Sequence, residues 1–220
     1  MHISDLARRW IAANFITMVA TAAFGLVGFW VRYLLDVESA DAALSARICY
    51  VAAEIVMTAA GLALYAQLTG AVLRRIVPAF PWRSWIAMHL VIGLVVGAGV
   101  GALLAQPGDS EPIDSNDTGF VLFTLALVPV AGAVLGAVFG ALQALILRRV
   151  ADGAGPWIAF SSLAASVTAA IVVGALPFSP LGPTFASEAF SQSVDVLGAV
   201  IGAVAMLPAL RHLRPRTTGS

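Results

Sequence analysis

The stretch LRRIVPAFPW (residues 73–82) separates two long apolar runs with an arginine pair, two prolines and a tryptophan. A variant, LRRVADGAGPW, recurs at residues 147–157, while ARRWIA stands at 7–12 and LRHLRPR at 210–216. Arginines beside tryptophan are typical of the ends of membrane-spanning helices, because basic residues stay on the cytoplasmic side and indoles favour the membrane interface. The pattern therefore predicts a chain that crosses a membrane several times.

Composition supports the same class of protein. The 220 residues are 60% hydrophobic and 11% charged, whereas about 25% of the residues of a soluble domain are charged. The apolar runs are long enough to cross a bilayer as helices, and short alternating segments of barrel strands are absent. We therefore predict an all-α, polytopic membrane protein. The zero net charge gives no attraction to nucleic acid, and the single cysteine, Cys49, excludes an internal disulfide.

Six transmembrane helices are predicted in a single membrane domain that covers residues 1–220. Their approximate bounds are 10–35, 48–73, 84–104, 120–147, 157–176 and 194–210. Pro129 predicts a kink or tilt in the fourth helix. The first run is longer than the apolar region of a signal peptide, so we interpret it as a retained helix, with a cleaved signal as the alternative.

The arginines predict the orientation. Ten of the twelve fall in the terminal segments and in the second and fourth loops, which lie on one side of six spans: Arg8, Arg9, Arg74, Arg75, Arg83, Arg148, Arg149, Arg211, Arg214 and Arg216. Because loops rich in basic residues stay in the cytoplasm, we expect a bacterial inner (cytoplasmic) membrane protein with both termini cytoplasmic. The acidic loop at 105–118 would lie outside.

Three segments resemble one another, which suggests an internal repeat. LGAVFGALQALILRR (135–149) resembles LGAVIGAVAMLPALRH (197–212), and AGLALYAQLTGAVLRR (60–75) is a looser copy. The chain then consists of three pseudo-repeated helix hairpins: helix 2 with 3, helix 4 with 5, and helix 6 with 1, the last split across the termini. Alanine-rich composition alone is the alternative explanation. The repeat predicts that helix 1 packs against helix 6.

Glycines at intervals of four residues form strips on three helices, in the manner of a glycine zipper: Gly93 and Gly97; Gly132, Gly136 and Gly140; and Gly198 and Gly202. Such strips let helix backbones approach closely in a membrane. We interpret them as packing surfaces, and expect the last pair to face helix 1. A groove lined by small residues is the alternative.

Glu54 is the strongest candidate for a ligand- or ion-binding residue, because an acidic side chain within a membrane helix is costly and often marks a substrate path. Arg47, Thr58 and Tyr65 share its face of helix 2 at helical spacing. We expect Glu54 to face the bundle. A Glu54 that serves packing alone, either protonated or paired with Arg47, is equally compatible with the sequence.

His89 is a second candidate, either as a ligand-binding residue or as a hydrogen-bonded structural histidine. No enzyme motif is present, so we expect no enzymatic activity, no cofactor and no metal site. Outside the spans, residues 105–118 are expected to be a solvated acidic loop. The proline-rich segment 177–190 is expected to lie extended on the outer interface, with a re-entrant gating loop as the alternative.

The segment GAVFGALQALILRR, followed by PWIAFSSLAA, resembles uncharacterised bacterial membrane proteins that repeat a G-x-x-Q-x-x-x-L-R motif before tryptophan-led helices. Gly140, Gln143, Leu147 and Arg148 match the motif and Trp157 begins the next helix, whereas Ala144 departs from the expected aromatic residue. The resemblance covers mainly helices 4 and 5 and implies no known activity.

Taken with Glu54, these features favour a small-molecule binding or transport component. The alternative is a structural or assembly subunit that docks partner membrane helices through its glycine faces. In either case the lipid bilayer is the surrounding partner.

Overall fold

A computed structural model describes residues 3–37, 39, 41–106, 118–175, 178 and 185–216. These residues form helices α1 (Ile3–Leu34), α2 (Leu44–Ile76), α3 (Trp82–Leu104), α4 (Thr118–Leu147), α5 (Pro156–Ala175), α6 (Phe185–Ala205) and α7 (Leu207–His212), with strands β1 (Ala151–Asp152) and β2 (Arg214–Pro215). Within these described ranges, six helices are long and apolar enough to cross a membrane, the last one counted through α6 and α7. The predicted all-α fold with six spans is confirmed.

The sixth span differs from its prediction at both ends. It begins at Phe185, nine residues before the predicted start at 194, so the predicted extended structure is wrong at 185–190. Of the rest of that segment, residues 177 and 179–184 lie outside the described part. Polar residues such as Gln192 are unusual in a membrane span, but in the structure Gln192 lines a partly open cavity between the helices. The helix is interrupted before Pro208, which lacks an N–H donor and is placed in the first turn of α7. Pro129, by contrast, lies within α4 without ending it.

The helices pack in the spatial order α3–α2–α1–α6–α5–α4. Extensive contacts join α2 to α3, α4 to α5, and α1 to both α2 and α6, whereas α3 and α4 touch only sparsely. The predicted contact between the first and sixth spans is therefore confirmed. Whether the three hairpins share an ancestor stays a prediction.

Glycines lie where helices approach most closely. Gly93, Gly97 and Gly101 of α3 face α2, and Gly132, Gly136 and Gly140 of α4 face α5. The prediction that the α6 glycines face α1 is wrong: Gly198 and Gly202 face Thr168 and Ala164 of α5. Helix α1 meets α6 through its own Gly25, which lies against the Gln192 side chain.

The largest core cluster lies at one end of the bundle, which we call the arginine end because the ten arginines named above belong to the segments that meet there. Its centre contains Trp10, Trp85 and Trp157, all completely buried. A smaller cluster of Val37, Tyr50 and Ala105 lies at the opposite end.

The C-terminal segment is fastened to the loop between α4 and α5. Strands β1 and β2 pair antiparallel, and Arg216 Nε lies 3.2 Å from Asp152 Oδ1. At the same end, Leu6 of α1 and Leu210 of α7 line one small cleft. The first and last helices of the chain are therefore neighbours, as the split hairpin requires.

Candidate functional site

A partly open cavity of about 410 Å³ lies among α1, α2, α3 and α6. It is lined by Thr17, Met18, Thr21, Phe24, Gly25, Glu54, Met57, Thr58, Gly61, Leu62, Tyr65, Val96, Gln192 and Asp195. The volume falls in the range of small-molecule sites, which is roughly 300–1,000 Å³. The lining combines an apolar wall with a few polar side chains, as is usual for such sites.

Two carboxylates line the cavity from different helices. Glu54 is ten residues beyond Leu44, the first residue of α2, and Asp195 is ten residues beyond Phe185, the first residue of α6. Both helices begin at the end opposite the arginine end, so at 1.5 Å per residue each carboxylate lies about 15 Å along its helix. The acidic groups therefore lie inside the span of the bundle and face a common space.

The Glu54 side chain points into the bundle, as predicted. Its Cβ lies against Gly101 of α3, and its Oε1 would be 2.8 Å from a Cβ placed on Gly28 of α1. Tyr50, one turn earlier on α2, is buried and hydrogen-bonded to the Glu54 side chain. The two glycines thus leave space for the Glu54 carboxylate, and Tyr50 of the same helix holds it by a hydrogen bond.

The structure brings together three of the five residues proposed from sequence. Glu54, Thr58 and Tyr65 line the cavity. Arg47 lies on a separate apolar cleft between α2 and α3, and its Nη2 donates a hydrogen bond to the Ser39 carbonyl oxygen at 3.2 Å. The fifth residue, His89, is buried beneath Tyr65, with ring centroids 5.3 Å apart.

Sequence reasoning missed the contribution of α6. The predicted span begins at 194, which places Gln192 in the preceding loop and Asp195 at the edge of the span. The spacing of Glu188, Gln192 and Asp195 by four and three residues places them on one helical face. That spacing is the signal that could have indicated an earlier helix start with a polar inner face.

Two threonines of α1 present hydrogen-bond acceptors to the cavity. Thr17 Oγ1 donates to the Ala13 carbonyl oxygen at 2.8 Å, and Thr21 Oγ1 donates to the Thr17 carbonyl oxygen at 3.0 Å. A hydroxyl has one proton to donate and two lone pairs that accept. With the proton engaged by its own helix, each hydroxyl offers only lone pairs to a ligand.

Five buried side chains pack in the core of the arginine end, and we call this group the tryptophan plug: Trp10, Trp85, His89, Gln143 and Trp157. The Trp157 indole lies edge-on to both other indoles, with ring centroids 5.9 Å from Trp10 and 6.4 Å from Trp85. Because the Tyr65 ring packs on His89, the plug lies directly beneath the cavity. Its side chains fill the bundle between the cavity and the arginine end.

A chain of hydrogen bonds crosses the plug. Trp157 Nε1 donates to Gln143 Oε1 at 2.7 Å, and Gln143 Nε2 lies 3.2 Å from His89 Nε2. His89 Nδ1 is 2.7 Å from the Trp85 carbonyl oxygen, which can only accept, so Nδ1 carries the proton and Nε2 accepts from Gln143. These contacts favour the structural interpretation of His89.

The same type of contact occurs in two hairpins. In each, a tryptophan of the second helix donates its indole N–H to a side chain of the first helix: Trp85 to Thr69 at 3.3 Å, and Trp157 to Gln143 at 2.7 Å. Both acceptors lie six residues before the second arginine of the pair that ends the first helix. The corresponding position in the split hairpin is Met206, counted back from His212. There the Trp10 indole N–H is buried without a hydrogen-bond partner among the described residues.

The fold and the cavity define a class: in its described part, the chain is an integral membrane protein with six spanning helices and a largely apolar cavity that a few polar side chains line. No protein-family model, curated protein or solved structure matches the chain. The resemblance to proteins with repeated G-x-x-Q-x-x-x-L-R segments therefore stays a prediction. In the described part of the chain, no group of three or more His, Cys, Asp or Glu side chains is placed to hold a metal ion.

Proposed function

We propose that this protein binds a small molecule in the cavity among α1, α2, α3 and α6 and carries it across the membrane. The observation that carries the proposal is the pair Glu54 and Asp195, which face one cavity from two helices. A charged side chain in the middle of a membrane helix costs about 2.5–3.5 kcal/mol on insertion scales. Two such groups facing a space large enough for a ligand are better explained by binding than by packing.

The tryptophan plug gives the proposal a direction of access. Below the cavity, Trp85 and Trp157 are completely buried. A ligand in this conformation reaches the cavity without passing the arginine end, and release at that end requires the plug to separate. Transport would thus alternate between a plugged and an unplugged state of the bundle.

Assembly through the glycine faces, the alternative function, loses its main support. Gly97 of α3 faces α2 and Gly136 of α4 faces α5, so these surfaces are already covered within the chain. Gly202 of α6 likewise faces α5. Partner helices would have to dock elsewhere.

We infer that the arginine end is cytoplasmic, in a bacterial inner membrane, because basic loops resist translocation. With the native exposed cysteine removed by Cys49→Ala, single cysteines at Asp41→Cys and Gly155→Cys should report opposite sides. A membrane-impermeant maleimide added to intact spheroplasts should label residue 41 and not residue 155 until the cells are opened. Equal labelling at both positions, or the reverse order, would overturn the orientation.

The transport proposal is tested by filling the cavity. Leu62 lines the cavity, so Leu62→Trp should occupy its volume without changing its charge. Leu163→Trp is the matched control, because Leu163 of α5 is 50% exposed on the outer surface of the bundle.

Proteoliposomes are incubated with a small-molecule cell extract, washed and examined by mass spectrometry. Accumulation of a compound by wild-type protein and the Leu163→Trp variant, but not by the Leu62→Trp variant, is the expected result. Uptake equal to that of empty liposomes for all three proteins would contradict transport.

A further inference from the structure

We infer that the ligand of this cavity is an organic cation, namely an amine or quaternary ammonium compound with an apolar body. The inference rests on the proposed binding function of the cavity and adds the chemical class of its ligand. Three independent features of the lining support it: its charge, its hydrogen-bonding character and its apolar wall.

The charge of the lining is one-sided. Glu54 and Asp195 line the cavity, and its described lining contains no arginine, lysine or histidine. Arg32 of α1 lies near Tyr50, the hydrogen-bond partner of Glu54, but does not line the cavity. Arg47, on the same helix as Glu54, belongs to a different cleft. Carboxylates removed from water require a countercharge or a proton, and a bound cation supplies that charge inside the cavity.

The neutral polar groups favour the same ligand. Thr17 and Thr21 have donated their protons to backbone carbonyl oxygens and can only accept. The Gln192 amide nitrogen donates to Glu188 Oε1 at 2.7 Å, so this donor is partly engaged as well. These three side chains therefore offer mainly acceptors, which suit an ammonium group, and the hydroxyls of Thr58 and Tyr65 complete the polar lining.

The rest of the lining excludes a small hydrated ion as the best-fitting ligand. Met18, Phe24, Met57 and Leu62 form an apolar wall beside the carboxylates. A hard metal cation binds best within a shell of six or more oxygen ligands, whereas an apolar wall gains free energy by covering hydrocarbon. The face of an aromatic ring such as Phe24 also attracts quaternary ammonium groups.

Three probes of similar shape but different charge test whether the positive charge of the ligand determines binding. Benzyltrimethylammonium is a permanent cation, neopentylbenzene is its neutral carbon isostere, and benzenesulfonate is an anion. Binding to the full-length protein purified in detergent is measured by equilibrium dialysis. Wild-type protein should bind the cation at least about tenfold more tightly than either other probe.

Substitutions of the two cavity carboxylates test whether the cation binds in the cavity. Glu54→Gln and Asp195→Asn should each weaken cation binding by at least about tenfold, whereas Asp41→Asn, which alters an exposed carboxylate outside the cavity, should leave binding unchanged. The melting temperature of each variant reports whether it is folded. If Glu54→Gln prevents folding, Asp195→Asn carries the same test.

The outcomes distinguish the ligand class from the site. One outcome combines three results: the neutral probe binds as well as the cation, the Glu54 and Asp195 variants bind normally, and Leu62→Trp abolishes binding. That outcome overturns the cation inference, while the cavity remains a binding site. If the cation binds equally well to Leu62→Trp and wild-type protein, binding lies elsewhere and both are overturned. Failure of folded wild-type protein to bind the cation also overturns the inference.

Discussion

Gly97→Ala is expected to lower the free energy of unfolding by about 3 kcal/mol or more, the upper part of the usual range for overpacking. A Cβ at residue 97 would lie 2.7 Å from the Ile55 Cα and 3.0 Å from the Glu54 carbonyl oxygen. Both are backbone atoms of α2, so no side-chain rotation relieves the contact. Helix α3 would have to move away from α2, which would also displace Gly93 and Gly101 from their contacts.

Gly99→Ala is the matched control on the same helix. A Cβ at residue 99 meets no atom within 4 Å, so this variant should unfold within about 0.5 kcal/mol of wild type. Reversible unfolding in mixed micelles of increasing dodecyl sulfate content measures both variants. Equal stabilities for the Gly97 and Gly99 variants would contradict the close packing of α2 and α3.

Gln143→Leu is expected to destabilise the protein by about 2–4 kcal/mol, because it leaves two buried polar groups without partners. Gln143 is 2% exposed, accepts from Trp157 Nε1 and donates to His89 Nε2. Leucine preserves much of the volume but provides neither contact. The expected loss thus reports the hydrogen bonds of the tryptophan plug more than its packing.

Gln67→Leu makes the same chemical change on α2, where the glutamine is exposed, and should be close to neutral. A double-mutant cycle of Gln143→Leu with His89→Leu should show that the two changes together cost less than the sum of their separate costs, since one orphaned partner is removed. Additive costs would show that the two side chains do not interact. The same unfolding measurement serves all four variants.

The number of spans could be predicted from a short-range signature, and the packing of α1 against α6 could be predicted from the resemblance among the hairpins. Long apolar runs require helices in a bilayer, and the arginine pairs mark where the runs end. The start of α6 could not be predicted in this way. Its inner face carries Gln192 and Asp195, and a hydropathy pattern cannot distinguish polar residues that face a cavity from polar residues in a loop.

The candidate site could be predicted in part for the same reason. Glu54, Thr58 and Tyr65 lie on one helix, so helical spacing alone places them together. Asp195 reaches the cavity through the packing of α6 on α1, and no local pattern shows which face of α6 meets α1. Arg47 shares the helical stripe of Glu54, but the stripe spans two separate clefts once α3 packs beside it.

A strip of glycines predicts that a helix surface is packed, but not which helix packs on it. Spacing by four residues predicts that Gly198 and Gly202 face another helix, and they do. It does not predict which helix, because any neighbour with small residues can approach. Thr168 of α5 occupies the position expected for α1.

Native mass spectrometry of the protein released from its own membranes tests the central claim most directly, since it detects a bound ligand of any structure by its mass. Wild-type protein and the Leu163→Trp control should each carry a bound small molecule that is missing from the Leu62→Trp variant. A wild-type spectrum with no bound small molecule, or a bound mass that survives Leu62→Trp unchanged, would contradict a ligand site in the cavity between Glu54 and Asp195.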